Sequence, residues 1–200
     1  MHFNEVFEEI NKFLDKTSFP FPKGGGQRAL NRIQGEFTLL FPKDLKYYIT
    51  SVSIPDDFQF LRIGNYINLY GYSNMSKLQA GYSFDPITKK RFDEWSDSWF
   101  IIAEEGADPI IFDLTERKKV FQANHGEGDW RFFPIANSIP QFLICCAALH
   151  YTFLRWGLID VIDNSNGFCL KEAPASWLFP KMKYWAGEYY DHWCSVFDNA

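Results

Sequence analysis

Four histidines, His2, His125, His150 and His192, give the chain its capacity for proton transfer near neutral pH. His125 has the best neighbourhood. It lies in Asn124-His125-Gly126-Glu127-Gly128-Asp129, where Glu127 and Asp129 could orient its ring and Asp113 ends a neighbouring strand. An acid–base site also needs a nucleophile or a held water within hydrogen-bond reach. No G-x-S-x-G or H-E-x-x-H motif supplies one. The expected role is a loop histidine capping backbone groups, and a hydrolase-type enzyme centred on His125 stays as an alternative.

Metal and phosphate chemistry have weaker support. Cys146 and His150 stand four apart on one apolar stretch, which would let both face a shared ion, but two further ligands at suitable spacing are missing. Cys145, Cys146, Cys169 and Cys194 form no C-x-x-C pair, so they read as reduced, buried thiols; no metal and no cofactor are expected. Lys23-Gly24-Gly25-Gly26-Gln27-Arg28 has the glycines of a phosphate cradle without the G-x-x-x-x-G-K-[ST] spacing or a preceding strand, and reads as a flexible connector. Lys89-Lys90-Arg91 and Arg117-Lys118-Lys119 are short turn charges flanked by acids. With a net charge of -5, they argue against nucleic acid as a partner.

Acids and aromatics remain. Asp56-Asp57, Asp93-Glu94-Asp97, Glu104-Glu105-Asp108 and Glu127-Asp129 fall on expected loops and turns. Singly these are solubility charges; several on one face with Tyr or Trp would steer and orient a basic protein partner. Aromatic residues make up 19% of the chain, more than a minimal core needs, so they either build a core of large side chains or lie at an interface. In 66–72, Ile67 and Leu69 point one way and Tyr66, Asn68, Tyr70 and Tyr72 the other, leaving a tyrosine face that is either covered or a docking surface. The expected contact residues are Asp56, Asp57, Tyr70, Tyr72, Glu104, Glu105, Asp108, Glu127 and Asp129.

The elements holding these residues follow from periodicity. At 46% hydrophobic content, 200 residues can bury one sizeable core, so a single domain over 1–200 is expected. Phe3, Val6, Phe7, Ile10, Phe13 and Leu14 predict an amphipathic helix over 3–16, broken by Pro20, Pro22 and three glycines. Pro42 opens a short helix to about residue 50. Strands are expected over 58–63 and 66–72, with another near 78–84 and a turn at 85–90. Apolar runs 99–103 and 110–114 flank a turn of Gly, Asp and Pro, and 120–123 adds a strand after the charged turn 115–119. Ser138 and Pro140 open a long apolar helix to about residue 159. A polar loop at 163–167 and a last helix over 180–197 follow, the latter with a core stripe of Met182, Trp185, Tyr189, Trp193 and Val196. The longest apolar stretch, 142–149, falls far short of the ~20 residues a membrane span requires. The chain also opens without a basic signal-peptide start, so a cytoplasmic protein with no membrane partner is expected. The fold class is α+β: an antiparallel sheet of about five or six strands flanked by helices, with a C-terminal helical extension over 150–200.

One resemblance sharpens this reading. The order W-x-x-I-A-x-x-G-x-D-P-I-x-x-D-L, then V-F-x-A-x-H-G, then P-I-A-x-S-x-x-x-F-L, with Phe41-Pro42-Lys43-Asp44-Leu45 upstream, resembles the core of the SUKH superfamily, the Smi/Knr-type domain, over 37–149. Phe41 stands where the family usually has Leu, and Ser53-Ile54-Pro55 replaces its Asn-Gly-Gly turn. The resemblance implies a non-enzymatic protein-binding domain. Bacterial members are often immunity proteins that bind and neutralise a cognate toxin, commonly a nuclease or deaminase; fungal members imply the alternative of a regulatory or scaffold module.

Overall fold

The computed structural model describes residues 1–20, 23–115, 119–157, 160–164 and 167–200. Six strands form one antiparallel meander, each paired with the next: β1 (Phe58–Phe60), β2 (Ile67–Leu69), β3 (Trp99–Glu105), β4 (Asp108–Asp113), β5 (Val120–Gln122) and β6 (Phe133–Ala136). The period of two sends Ile67, Leu69, Phe100, Ile110 and Phe112 to one face and Ile101 and Ile111 to the other. A register shift between Ile101 and Ala103 turns both Ile102 and Ala103 to the first face. Helices cover that face. The opposite face is covered by residues 70–99 and by the aromatic stretch around Trp130.

On the helical side, α4 (Ile139–Trp156) runs through the core, buried nearly all round between the sheet, α1 (Phe3–Ile10) and α5 (Glu172–Ala186). Ser138 Oγ accepts the Gln141 N–H at 3.3 Å, and Pro140 occupies the first turn, where its missing donor costs nothing. Cys145, Cys146 and Cys194 are buried, and burial pushes each of those three thiols up in pKa, whereas Cys169, on β8 (Gly167–Leu170), is only half-buried. The first helix is shorter than its periodicity predicts and stops at Ile10. Asp15 accepts the N–H groups of Thr17 and Ser18 at 3.0 and 2.9 Å, and this turn redirects the chain while leaving Phe13 and Leu14 packed on the core. The Thr17 hydroxyl, 2.7 Å from the same carboxylate oxygen, leads these backbone donors in lowering the Asp15 carboxyl to about 2.

Four further expectations are corrected. The glycine-rich connector ends in a helix, α2 (Gly26–Gln34), which buries Ala29, Leu30 and Ile33. Its glycines serve close approach: Gly24 and Gly25 donate to the carbonyls of Ser53 and Ile49, and a Cβ on Gly24 would lie 2.2 Å from the Thr50 carbonyl oxygen. The strand expected near 78–84 is a 3-10 turn (Lys77–Gln79). There the buried Gln79 amide does a strand's work, donating to the Ile101 carbonyl at 2.8 Å and accepting the Ile101 N–H at 3.0 Å. The last helix starts at Glu172, ahead of Pro180, because Pro174, Leu178, Met182 and Trp185 form one buried stripe across the proline. It gives way to a 3-10 turn (Gly187–Tyr189) and α6 (Tyr190–Cys194). The region of the expected polar loop carries a hairpin, β7 (Val161–Asn164) with β8 (Gly167–Leu170). Asn199 stitches the hairpin to the C-terminal tail through both Leu170 backbone groups, at 3.1 and 2.8 Å. The expected short helix is present as α3 (Lys43–Tyr47), continued by a π-helical turn (Tyr48–Val52). Pro22, Arg117, Lys118, Ser165, Asn166 and the expected helix end at Ile159 lie outside the described residues.

Helical side chains meet the sheet at both edges. Beside β1, His150 Nδ1 accepts the Leu61 N–H at 3.0 Å, while its Nε2 donates to the Ser18 carbonyl at 3.0 Å. On β6, Trp193 Nε1 donates to the Ile135 carbonyl at 3.0 Å. With both ring nitrogens of His150 committed to backbone groups, the conceivable pairing of His150 with Cys146 around an ion does not form.

Candidate partner-binding surface

The β3–β4 hairpin sets the site. Its turn places Gly106 at φ +66° and Ala107 at φ +120°, and a Cβ on Gly106 would lie 2.3 Å from the Asn65 side chain. The pleat then separates two adjacent acids. Glu104 turns to the face opposite the helices, where Tyr70 donates to its Oε2 at 2.8 Å and the Tyr82 hydroxyl lies 3.1 Å from the same oxygen. The Tyr82 hydroxyl also reaches the Ala107 carbonyl at 2.9 Å, tying the strained turn to the face. Burial, with the Glu104 carboxylate beside them, pushes both phenols well above their ordinary pKa. Glu105 turns to the helical face, where Arg62 and Gln122 donate to its Oε2 at 2.8 and 3.0 Å.

Next to the turn, Asp108 Oδ1 accepts the His125 backbone N–H at 2.8 Å and lies 2.6 Å from its Nδ1. The carboxylate therefore selects the tautomer with the proton on Nδ1, and the ring, 61% exposed, offers Nε2 outward. Among the described residues no serine, threonine or cysteine side chain hydrogen-bonds this ring. Asn124 donates to Glu127 at 2.8 Å, while Glu127 and Asp129 stay exposed.

Above Ile101 and Ile111 lies a cluster of rings. Trp95 meets Trp99 and Trp130 edge-on at 5.3 and 5.4 Å, and Phe132 lies 4.5 Å from Trp99. Trp95 is buried and donates its Nε1–H to the Trp99 carbonyl at 3.1 Å, whereas Tyr82, Trp99, Trp130 and Phe132 are half-buried. These residues come from distant parts of the chain, although the Trp95/Trp99 and Trp130/Phe132 spacings were visible. The surrounding charge is uneven. Lys89, Lys90 and Arg91 balance Asp93, Glu94 and Asp97, with Arg91 paired to Asp97 at 2.5 Å. On the hairpin and the 124–132 segment, the negative bias comes from Glu104, Asp108, Glu127 and Asp129 against Arg131.

No protein-family model matches this chain, and no curated protein matches it either.

Of the nine expected contact residues, Glu104, Asp108 and Glu127 take part in the hairpin and its adjoining loop, and Asp129 lies on that loop. Four others are placed differently from the expectation. Tyr70 is buried, its hydroxyl spent on Glu104, so it is not a docking side chain. Glu105 is held on the helical side by Arg62. Asp57 is exposed but accepts the Gly71 N–H and the Asn74 amide at 3.0 and 3.2 Å, so it organises the chain beyond β2. Tyr72 is half-buried with its ring against Gly25, and its carbonyl accepts from Arg32. Asp56 is exposed, and the start of that acidic pair packs its backbone against Gly71.

Proposed function

We propose that this chain is a non-enzymatic protein-binding domain, an immunity protein that binds and neutralises a cognate bacterial toxin of nuclease or deaminase type inside the cytoplasm. The observation supporting this reading is the half-buried ring cluster of Tyr82, Trp99, Trp130 and Phe132 beside the negatively biased hairpin and 124–129 loop. Rings that bury large area at little rotamer cost are favoured anchors at protein interfaces. The acids around them would orient a basic toxin surface, the kind that grips nucleic acid, and so cover its substrate channel. The order of motifs shared with the SUKH-type core is consistent with this role.

Co-expression with the product of an adjacent toxin-like gene tests the reading. Rescue of growth and co-elution on a sizing column are expected, and both should weaken in Trp130→Ser and Glu127→Lys variants that remain folded. No rescue and no complex would remove it. A second reading, an enzyme centred on His125, is favoured by the ring's tight bond to Asp108 and its outward Nε2. It would require His125→Ala to abolish a hydrolytic activity while preserving the fold.

A further inference from the structure

The other side of the molecule carries a cavity that the protein-binding reading does not use. About 490 Å³ in volume, it lies between the β1–β2 connection, the C-terminal end of α4 and the β7–β8 hairpin. Leu61, Ile63, Phe153, Val161 and Phe168 line it, with Tyr66 at an exposed rim and Arg62 as the one charged side chain among its described lining residues. That size and composition fit small-molecule pockets, which are mostly apolar with a few placed polar groups. Arg62 is the informative residue. Its side chain is only 13% exposed, yet among the described residues it makes a single hydrogen bond, from Nη1 to Glu105. A guanidinium has five N–H donors in a planar fork and no acceptor, so the donors not spent on Glu105 are open to an acceptor group in the cavity, where they otherwise meet water.

We propose that this cavity binds an alkyl carboxylate: an apolar chain against Leu61, Ile63, Phe153 and Val161, with its carboxylate on the free edge of the Arg62 guanidinium. The walls set the body of the ligand, because apart from Arg62 and the rim hydroxyl of Tyr66 the described lining side chains are apolar. The fork sets the head, since carboxylates pair with arginine through two parallel bonds. Glu105 takes one donor of the fork, at Nη1, and leaves the others to the ligand. The site lies on the helical face of the sheet, apart from the ring cluster, and stands or falls separately from the toxin reading.

Titration of the full chain with decanoate at neutral pH, followed by calorimetry and by backbone amide shifts, tests the proposal, with decanol as the uncharged probe. Saturable one-to-one binding is expected, with the shifts centred on residues 61–66 and 161. Decanol should bind about tenfold more weakly, the worth of one charge-assisted hydrogen bond. Val161→Trp, which fills the cavity and leaves the charges alone, should abolish binding of both probes. Arg62→Met can unfold the chain by stranding Glu105, so the double variant Arg62→Met/Glu105→Gln removes both partners together. It should bind decanol as before and lose the preference for decanoate. Absence of saturable binding, equal affinity for the two probes, or binding unchanged by Val161→Trp would overturn the assignment.

Discussion

His150 Nδ1 accepts the backbone N–H of Leu61 at 3.0 Å, across 89 positions of sequence, while the other ring nitrogen donates to the Ser18 carbonyl. One half-turn of α4 thus fastens the first strand and the turn after α1 to the core. Replacing His150 by Ala leaves two backbone groups without partners in a buried place. The expected cost is about 2–4 kcal/mol of stability, from the stranded polar groups and the void together. Urea denaturation of the variant measures it, and a loss below about 1 kcal/mol would show that water replaces the ring.

Protonation should destabilise the fold through the buried His150 and the half-buried His192. Burial lowers His192 to about 4 and also lowers His150. A histidine whose folded pKa lies below its unfolded value contributes stability that is fully present above about 6.5 and is lost as pH falls toward the folded value. For His192 the loss between pH 6.5 and 4 is roughly 3 kcal/mol by linkage. Its Nε2 is buried without a partner, so His192→Phe should flatten that part of the pH profile and keep the ring contact with Phe133. Chemical denaturation at pH 7.5, 6 and 5 compares the two proteins; parallel profiles would exclude His192 as the source.

The Tyr70–Glu104 bond should matter more than the Tyr82–Glu104 contact. Tyr70 is 1% exposed and has the carboxylate as its acceptor, whereas Tyr82 can give its proton to Ala107 instead. Tyr70→Phe is expected to cost about 1.5–3 kcal/mol, the range for bonds to charged groups, and Tyr82→Phe less. A double-mutant cycle with Glu104→Gln isolates the coupling. Equal losses for the two phenols would contradict this ordering.

Gly24 and Gly64 both hold positive φ, at +65° and +81°, but only Gly24 faces backbone at clashing distance. Alanine at Gly64 should cost about 1–2 kcal/mol, from backbone conformation alone. Alanine at Gly24 should cost clearly more, because α2 must move off the Thr50 carbonyl. Thermal melts of the two variants settle the order.

Much of the sheet was legible in the residues. The runs 99–103 and 110–114 are apolar because β3 and β4 are covered on both faces, and the glycine between them marks the turn. The long helix was legible from Ser138 and Pro140. What escaped was structure decided by distant contacts. Only Ala29, Leu30 and Ile33 of α2 are buried, too few to outweigh three leading glycines in a local reading. Gln79 looks like an ordinary polar residue until Ile101 is beside it. Pro180 reads as a helix start because the stripe that carries α5 through it gains its worth from packing on α4. The candidate surface was half legible: its acids were visible, but the pleat that parts Glu104 from Glu105, and the gathering of Tyr82, Trp95 and Trp130, belong to the folded chain.

A row of unpaired peptide groups invites another chain to extend a sheet, which is a route to fibres and to strand-exchanged dimers. Here the outermost strands are three and four residues long, and each has a ring from a neighbouring helix bonded at its margin. Growth of the six-stranded sheet by strand addition is thereby discouraged at both ends, which favours side chains over peptide groups as the means by which another molecule meets it there.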